Sequence, residues 1–248
     1  MNNVNPAIEI ALNAKVPTST EKKELNDVFS KNKYIQVNKS SKSNELRFVD
    51  AIKEGLYQKM DFDSSVILMG QDIAEYGGVF KISEGFLEKF GKERVRNTPI
   101  IESGIIGASM GLALEGFKPV VEMQFADFVS CGFNQIVNNL AKTYYRWNSS
   151  LNVTLRLPCG GDLSAGPFHS QSPESWFFNV PGLKIVYPSS SYDVKGLLIA
   201  SIDEPNPVVF FEHKALYRSL KGDVPDNLYN IELGKAKIVK SGEDLTII

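Results

Sequence analysis

The sequence is poor in cysteine and histidine, with two of each in 248 residues. Neither Cys131 nor Cys159 belongs to a CxxC or a Cys/His ligand pattern. A disulfide framework and a structural zinc site are therefore not indicated. A strong excess of charge is also missing, since 27 Lys and Arg face 29 Asp and Glu. Without a basic stripe interleaved with aromatic residues, we predict no nucleic-acid partner.

Long apolar runs are absent as well. No stretch approaches the roughly 20 apolar residues that span a bilayer, and no apolar core of a secretory signal follows Met1. The first 45 residues contain no Arg and several acids, unlike a basic mitochondrial presequence. We therefore expect no membrane partner and a cytoplasmic location.

The composition that remains is that of a globular protein. With 43% hydrophobic and 23% charged residues, one large domain with additions is expected. Residues 1–45 combine a short helical pattern with a stretch rich in Lys, Ser and Asn, which indicates an arm or linker. We predict the main domain at 46–235. Residues 236–248 end in "GEDLTII", which reads as the opening strand of a further, truncated element.

Apolar runs typical of buried strands alternate with helical patterns through the main domain. The predicted strands are "SSVILMG", "FKPVVEM", "LNVTLRLP", "LKIVYP" and "NPVVFFE", and the helices include "FADFVSCGFNQIVNNLAKTYY" as one long helix and "PESWFFN" as a short one. This order predicts an α/β fold with a doubly wound, mostly parallel sheet and helices on both faces. Ligands of such sheets bind at the carboxyl ends of the strands.

Glu102 is the one acid between "PII" and a run of small and apolar residues. One interpretation places it in the first turn of a helix near Ser103, where the helix dipole favours a negative charge by about 0.3–1 kcal/mol. The other holds that Ile100, Ile101, Ile105 and Ile106 partly desolvate the carboxyl, which favours its protonated form and suits it to share a proton with a ligand. Spacing alone leaves both open.

Two further segments could belong to a site. His169 lies in the loop "GPFHSQSPE" with polar neighbours, and an imidazole there can give and take protons near neutrality. His213 lacks such a setting and is expected to be structural or exposed. The Gly77-Gly78 pair follows a predicted strand, but no GxGxxG or GxxxxGK[ST] pattern exists, so a turn or flap is expected rather than a phosphate cradle.

Several long motifs together carry a family resemblance over about 46–248. They are "GQDIAEYGGVFKISEG", "RVRNTPIIESGIIGASMGLAL", "KPVVEMQFADFVSCGFNQIVNNLAK", "GPFHSQSPES", "PGLKIVYPSS" and "NPVVFFEHKALYR". The chain resembles the β subunit of the thiamine-dependent first component of 2-oxo acid dehydrogenase complexes. The fold implied is a transketolase-like pyrimidine-binding domain. "HSQSPE" and "FFEHKALYR" are more similar to the branched-chain 2-oxo acid type than to the pyruvate type.

The resemblance implies thiamine diphosphate as the cofactor, with its magnesium held mainly by an α portion that carries a GDG motif. This chain has "GGD" at 160–162 but no such motif. The implied partners are an α subunit or α domain, a lipoyl-bearing acyltransferase component and a second β chain in an α2β2 assembly. The segment "AIEIALNAKVPTSTEKKELNDVFSKN" is similar to the tail of the α subunit, as in a fused parent chain. Activity without the α portion is not expected.

The resemblance also assigns roles to residues. Glu102 falls on the glutamate that activates the cofactor through a ring nitrogen of the aminopyrimidine. Phe128 falls on the residue that stacks on this ring, and Gln124 on another cofactor-side position. Their i, i+4 spacing would place both on one helix face.

His169 falls on the active-site histidine, which implies substrate orientation and a role in reductive acyl transfer to lipoamide. A structural potassium site of the branched-chain type would involve Ser201, Glu204 and Asn206. The function implied is oxidative decarboxylation of a branched-chain 2-oxo acid such as 2-oxoisovalerate. The alternatives are a pyruvate or acetoin dehydrogenase β subunit, and a non-catalytic assembly module of the same fold.

Overall fold

The structure is a computed structural model that describes residues 4–247. The strands are β1 (Ser43–Arg47), β2 (Val66–Gly70), β3 (Val95–Asn97), β4 (Lys118–Glu122), β5 (Thr154–Cys159), β6 (Lys184–Val186), β7 (Val208–His213) and β8 (Lys221–Pro225). The helices are α1 (Val4–Asn13), α2 (Glu21–Asp27), α3 (Phe48–Phe62), α4 (Phe86–Phe90), α5 (Glu102–Leu114), α6 (Ala141–Trp147), α7 (Ser191–Asp203) and α8 (Leu216–Ser219).

Six strands form one parallel sheet in the order β3-β2-β4-β5-β7-β6. Its apolar residues alternate between two cores. Leu68 and Phe210 belong to the core that contains α3 and α7 residues, whereas Met69 and Phe211 belong to the core that contains α5 and α6 residues. A sheet buried on both faces needs apolar residues at successive strand positions, which explains the continuous runs. The predicted doubly wound α/β fold is confirmed.

The segment predicted as one long helix after β4 is helical throughout 126–147, but its winding changes. Ala126–Gly132 is a 3₁₀ helix, Gln135–Leu140 a π helix, and Ala141–Trp147 is α6. Gly132 lies against α5, because a Cβ there would collide with the Ile106 side chain. A glycine at this position therefore permits close packing of the two elements. Irregular helical turns of this kind are frequent at functional sites.

The two ends of the chain are mostly exposed. α1 has no buried residue, while β1 pairs antiparallel with β8 and ties the start of the main domain to its end. Within 4–247 the last strand is β8, so the strand expected in "GEDLTII" is not formed there, and Ile248 lies outside the described residues. An isolated strand has no partner for its backbone groups. The boundaries at 45/46 and 235/236 stay predictions, and residues 1–3 of the arm also lie outside the described part.

No helix in the described part of the chain is both long and apolar enough to span a bilayer.

Candidate active site

The candidate site lies where neighbouring parallel strands end. Gly70 of β2 and Glu122 of β4 are register partners at the last position of their strands. Just beyond them, Gln124 Nε2 donates a hydrogen bond of 3.0 Å to Asp72 Oδ2. Asp72 has a φ of 56°, which turns the chain sharply after β2. The two strand ends therefore form one continuous polar edge, as expected for a doubly wound sheet.

Glu102 is the first residue of α5, at this edge. The residue before it, Ile101, makes no side-chain cap, so the helix's first N–H groups and their partial positive charge lie beside the carboxylate. Gln71 Nε2 donates to Glu102 Oε1 at 3.2 Å, and the side chain is half-buried. The dipole interpretation of Glu102 is thus compatible with a site role, because the same helix end faces the polar edge.

The apolar enclosure expected around Glu102 is only half formed. Ile105 and Ile106 are buried, but Ile100 and Ile101 are 83% and 51% exposed. The expectation that all four isoleucines desolvate the carboxyl is wrong for this chain by itself. Helical spacing turns the residues at 105 and 106 into the core, whereas 100 and 101 precede α5 and face outward.

The segment 126–132 runs directly beside the start of α5. A Cβ added to Gly132 would lie 3.5 Å from the backbone oxygen of Glu102. Phe128 occupies the same 3₁₀ segment and is half-buried. Glu102 and Phe128 are therefore on adjoining elements. Gln124 precedes this segment, so the prediction that it shares a helix face with Phe128 is wrong; it reaches the polar edge from the end of β4 instead.

Three aromatic rings meet next to this segment. The centroid of the Phe125 ring lies 4.7 Å from that of His169 at an interplanar angle of 90°, and the Phe128 ring lies 5.5 Å from His169 at 82°. The two phenylalanines are 5.8 Å apart. Edge-to-face packing of this kind fixes ring orientation and contributes about 0.5–1.5 kcal/mol per pair. Sequence reasoning missed Phe125, although an aromatic residue directly after a strand end was a usable signal.

The loop that carries His169 follows β5 and is anchored at its far end. Gln171 N–H donates to Asp127 Oδ1 at 3.1 Å, and Gly160 N–H donates to the Gln171 carbonyl at 2.9 Å. Asp127 is 5% exposed, so the anchor is internal. His169 itself is half-buried, whereas the adjacent Phe168 is exposed. The loop thus has a fixed base and an accessible imidazole.

Lys214, directly after β7, is a further residue that sequence reasoning missed. It is 2% exposed, and Nζ lies 5.4 Å from the Phe125 ring centroid, within cation–π range. Its ammonium has no hydrogen-bond partner among residues 4–247. Burial lowers the pKa of Lys214, and the negative charge of Asp127 acts against that shift. His213 beside it packs tightly against Gly160, as a structural histidine does.

A cluster of buried charged side chains links three neighbouring strands near their carboxyl ends. Arg156 of β5 donates from Nη1 to Glu122 Oε2 at 2.6 Å and from Nε and Nη2 to the two oxygens of Glu212 at 2.7 and 2.8 Å. Tyr217 O–H donates to Glu212 Oε2 at 2.6 Å. Burial raises the pKa of Glu122, while attraction to Arg156 opposes it. Because β4, β5 and β7 each supply one charge, the cluster holds their ends in fixed register.

The three residues expected to form a potassium site have other partners. The Glu204 carboxylate accepts from Lys184 Nζ at 2.8 Å and from the Asn206 side chain. Ser201 O–H donates to the Leu197 carbonyl. An ammonium already balances the one carboxylate, so this arrangement does not fit a potassium ion. Among residues 4–247 no group of three or more His, Cys, Asp or Glu side chains is placed to hold a metal.

Comparison with known proteins agrees with the fold. The family model described as the transketolase pyrimidine-binding domain matches residues 44–219. The 2-oxoisovalerate dehydrogenase subunit beta of Bacillus subtilis (strain 168) is 46% identical over 205 residues, which is 82% of this chain and 63% of that protein. The mitochondrial protein of the same description from Dictyostelium discoideum is 44% identical over 86% of this chain and 58% of its own length.

The pyruvate dehydrogenase E1 component subunit beta of Acholeplasma laidlawii is 42% identical over 82% of this chain and 63% of that protein. The chain therefore spans about 60% of the length of these curated relatives. Among solved structures, a split-gene transketolase described as an inactive β4 tetramer matches 80% of this chain and 60% of its own chain. The TM-score is 0.63 and the sequence identity is 17%, so the likeness is one of fold alone. Since the family model covers more than half of the sequence, the chain belongs to the family of transketolase pyrimidine-binding domains.

Proposed function

We propose that this chain is the β portion of the first component of a branched-chain 2-oxo acid dehydrogenase. The reaction would be thiamine diphosphate-dependent decarboxylation of a substrate such as 2-oxoisovalerate, followed by acyl transfer to lipoamide of an acyltransferase component. The relatives named for 2-oxoisovalerate dehydrogenase support the substrate class. The observation that carries the proposal is Glu102, which accepts from Gln71 at the start of α5, next to the 3₁₀ segment that carries Phe128 and packs against α5 at Gly132.

The residues present suit the pyrimidine half of the cofactor. An aminopyrimidine needs an acid that can exchange a proton with a ring nitrogen and a flat side chain to stack on, and Glu102 and Phe128 supply these on adjoining elements. The diphosphate half finds no GDG motif here, so we propose that an α portion holds it together with magnesium. When bound, thiamine diphosphate supplies the electron sink that 2-oxo acid decarboxylation requires.

Each residue of the candidate site then has a distinct role. Glu102 exchanges a proton with the pyrimidine ring nitrogen, and the amide of Gln71 fixes which carboxylate oxygen stays free to do so. Phe128 supplies the flat side chain on which the aminopyrimidine would stack. His169, held at right angles to Phe125, presents an imidazole that can orient an anionic substrate and donate a proton to an accepting sulfur.

The substrate class is tested with the α partner supplied. Decarboxylation rates for 2-oxoisovalerate and pyruvate are compared by kcat/KM, and we expect the branched-chain acid to be preferred. A tenfold or larger preference for pyruvate would instead support the second candidate, a pyruvate dehydrogenase β portion. That candidate is kept because the Acholeplasma laidlawii relative is 42% identical.

The role of His169 is tested by His169→Ala in the same reconstituted assembly. Proton exchange on the cofactor depends on Glu102 and should persist, whereas acylation of a lipoyl domain should fall by about 10²–10⁴-fold, the usual range for a positioned acid–base group. Phe168→Ala, at the exposed neighbouring position, is the control for loop disturbance. Normal acylation in the histidine variant would remove His169 from the mechanism.

The dependence on an α portion has its own test. We propose that the isolated chain binds thiamine diphosphate weakly and that affinity in the micromolar range needs the α partner, in an α2β2 assembly. Titration calorimetry with magnesium present should show little heat for the chain alone. A low-micromolar, magnesium-dependent site on the isolated chain would contradict the need for the α partner. It would also disfavour the proposal that the α portion holds the diphosphate.

A further inference from the structure

An extended arm precedes β1 and crosses the domain at the end opposite Glu102. Between the arm and the domain lies a cavity of about 530 Å³, whose wall includes Lys118 and Lys184, the first residues of β4 and β6. The stretch from Ser30 to Ser40 contains neither helix nor strand. The cavity lies at the amino-terminal ends of the strands and is therefore separate from the candidate active site at their carboxyl ends.

The arm is held by three asparagine side chains in the same way. Asn206 Oδ1 accepts the backbone N–H of Ser30 at 2.7 Å, and its Nδ2 donates to the Ser30 carbonyl at 2.9 Å. Asn230 accepts from the N–H of Val37 and donates to the carbonyl of Ile35, both at 2.8 Å.

The third asparagine repeats the pattern further along. Asn227 Oδ1 accepts the N–H of Ser40 at 2.8 Å, and Nδ2 donates to the carbonyl of Asn38 at 2.9 Å. A carboxamide carries one acceptor and a donor side by side, so it can satisfy an N–H and a C=O of one extended backbone at once. The three asparagines together satisfy six backbone groups between Ser30 and Ser40, a segment that has no neighbouring strand.

The three asparagines bind the backbone of the arm more than its side chains. Most side chains between 31 and 39 are exposed, and Ile35 is 78% exposed, so apolar burial contributes little to holding the arm. The side-chain contributions are polar, from Tyr34 O–H to Asn230 and from Asn32 to Glu204. Recognition through main-chain hydrogen bonds is how protein grooves bind extended peptides.

We propose that Asn206, Asn227 and Asn230 form a docking groove for an extended peptide, and that its occupant is segment 30–40 of the same chain. Asn206 Nδ2 also donates to the Glu204 carboxylate, so this carboxamide has a partner in the domain besides the arm. The arm and two of the three asparagines lie outside residues 44–219, the part that matches the family model. If the groove binds the arm as a peptide ligand, the arm stays bound without the covalent connection at residue 41.

The test begins with the intact chain carrying a site-specific protease sequence inserted after Ser41, an exposed position. After cleavage, size-exclusion chromatography with intact-mass detection shows whether fragment 1–41 stays with the domain at about 20 μM protein. The proposal predicts co-elution. Release of the fragment from the wild-type groove would overturn it. Dimers formed by the uncut chain, with arms exchanged between copies, would overturn the assignment of the occupant to the same chain.

A pair of proline variants tests the recognition mode. Val37→Pro removes the N–H that Asn230 accepts and should weaken retention of the cleaved fragment about tenfold. Gln36→Pro removes an N–H with no partner among the described residues and should weaken it far less. Equal effects of the two prolines would overturn backbone recognition at this position.

A second readout needs no cleavage and guards against misfolded variants. In the intact chain, amide hydrogen exchange followed by NMR should be slow at Val37 and fast at Gln36. Asn230→Ala should make Val37 exchange freely, whereas Asn138→Ala, at an exposed asparagine bonded only to its own helix, should leave it slow. Unprotected Val37 in the wild-type chain would contradict the groove.

Discussion

Replacing Arg156 by Met should strongly destabilise the domain without touching the candidate site directly. Arg156 is fully buried and makes three hydrogen bonds to the carboxylates of Glu122 and Glu212. Met fills similar volume but supplies neither charge nor donors. The variant leaves two buried carboxylates without their cation, and Tyr217 remains the one donor to Glu212 in the cluster.

The expected magnitude comes from the burial of the partners. Removing one member of a buried, hydrogen-bonded ion pair costs about 3–5 kcal/mol, because the remaining charge is left uncompensated. For a domain of 150–250 residues, each kcal/mol lowers Tm by about 2–4 °C. We therefore expect Tm to fall by about 6–20 °C at pH 7.

The pH dependence follows from Glu122. Burial raises the pKa of its carboxyl above the ordinary 4.5, and loss of Arg156 removes the attraction that opposes this. A carboxyl whose pKa is higher in the folded than in the unfolded state does not destabilise the fold at pH values below its unfolded pKa. Its destabilising effect grows as pH rises through its folded pKa. The deficit of the variant should therefore be smaller at pH 5 than at pH 7.

Urea unfolding of the full chain, followed by circular dichroism at both pH values, measures this directly. Arg96→Met is the matched control, because Arg96 pairs with Glu93 across 3.6 Å at the surface and such pairs contribute about 0–1 kcal/mol. A loss below about 1 kcal/mol for Arg156→Met at pH 7 would refute the reasoning. So would a deficit that grows on acidification to pH 5.

Two other predictions concern a backbone position and the thiols. Gly182→Ala should lower the free energy of unfolding by more than about 2 kcal/mol, because Gly182 has a φ of 94° and an added Cβ would collide with the carbonyl of Ala141. Gly161→Ala is the control, since a Cβ there meets nothing within 4 Å. Urea titrations should show little change in its free energy of unfolding. Burial raises the pKa of Cys159 to about 11, so iodoacetamide at pH 8 should label the exposed Cys131 and spare Cys159. Double labelling of the folded chain in mass spectra would contradict this.

The sheet could be predicted from sequence because its strands are buried on both faces. A strand such as β2, with all five residues buried, needs an unbroken apolar run, and such runs stand out between polar helices. The start of α5 was equally predictable, since Glu102 follows a proline-containing turn and precedes a long apolar stretch. These features depend on residues close together in the chain.

The parts that sequence reasoning missed depend on distant partners. The buried charges of Arg156 and Glu212 are 56 positions apart, and nothing local marks either as paired. The arm contacts reach further, with 176 positions between Ser30 and Asn206.

The role of Glu102 is tested most directly by proton exchange on thiamine diphosphate. The full assembly is reconstituted with an α partner, and exchange of the thiazolium proton for deuterium is followed by NMR after rapid quenching. Glu102→Gln keeps nearly the same shape but cannot exchange a proton, so the account predicts a rate about 10²–10⁴-fold lower, with Glu115→Gln at the exposed end of α5 unchanged. Exchange at the wild-type rate in Glu102→Gln would contradict the account.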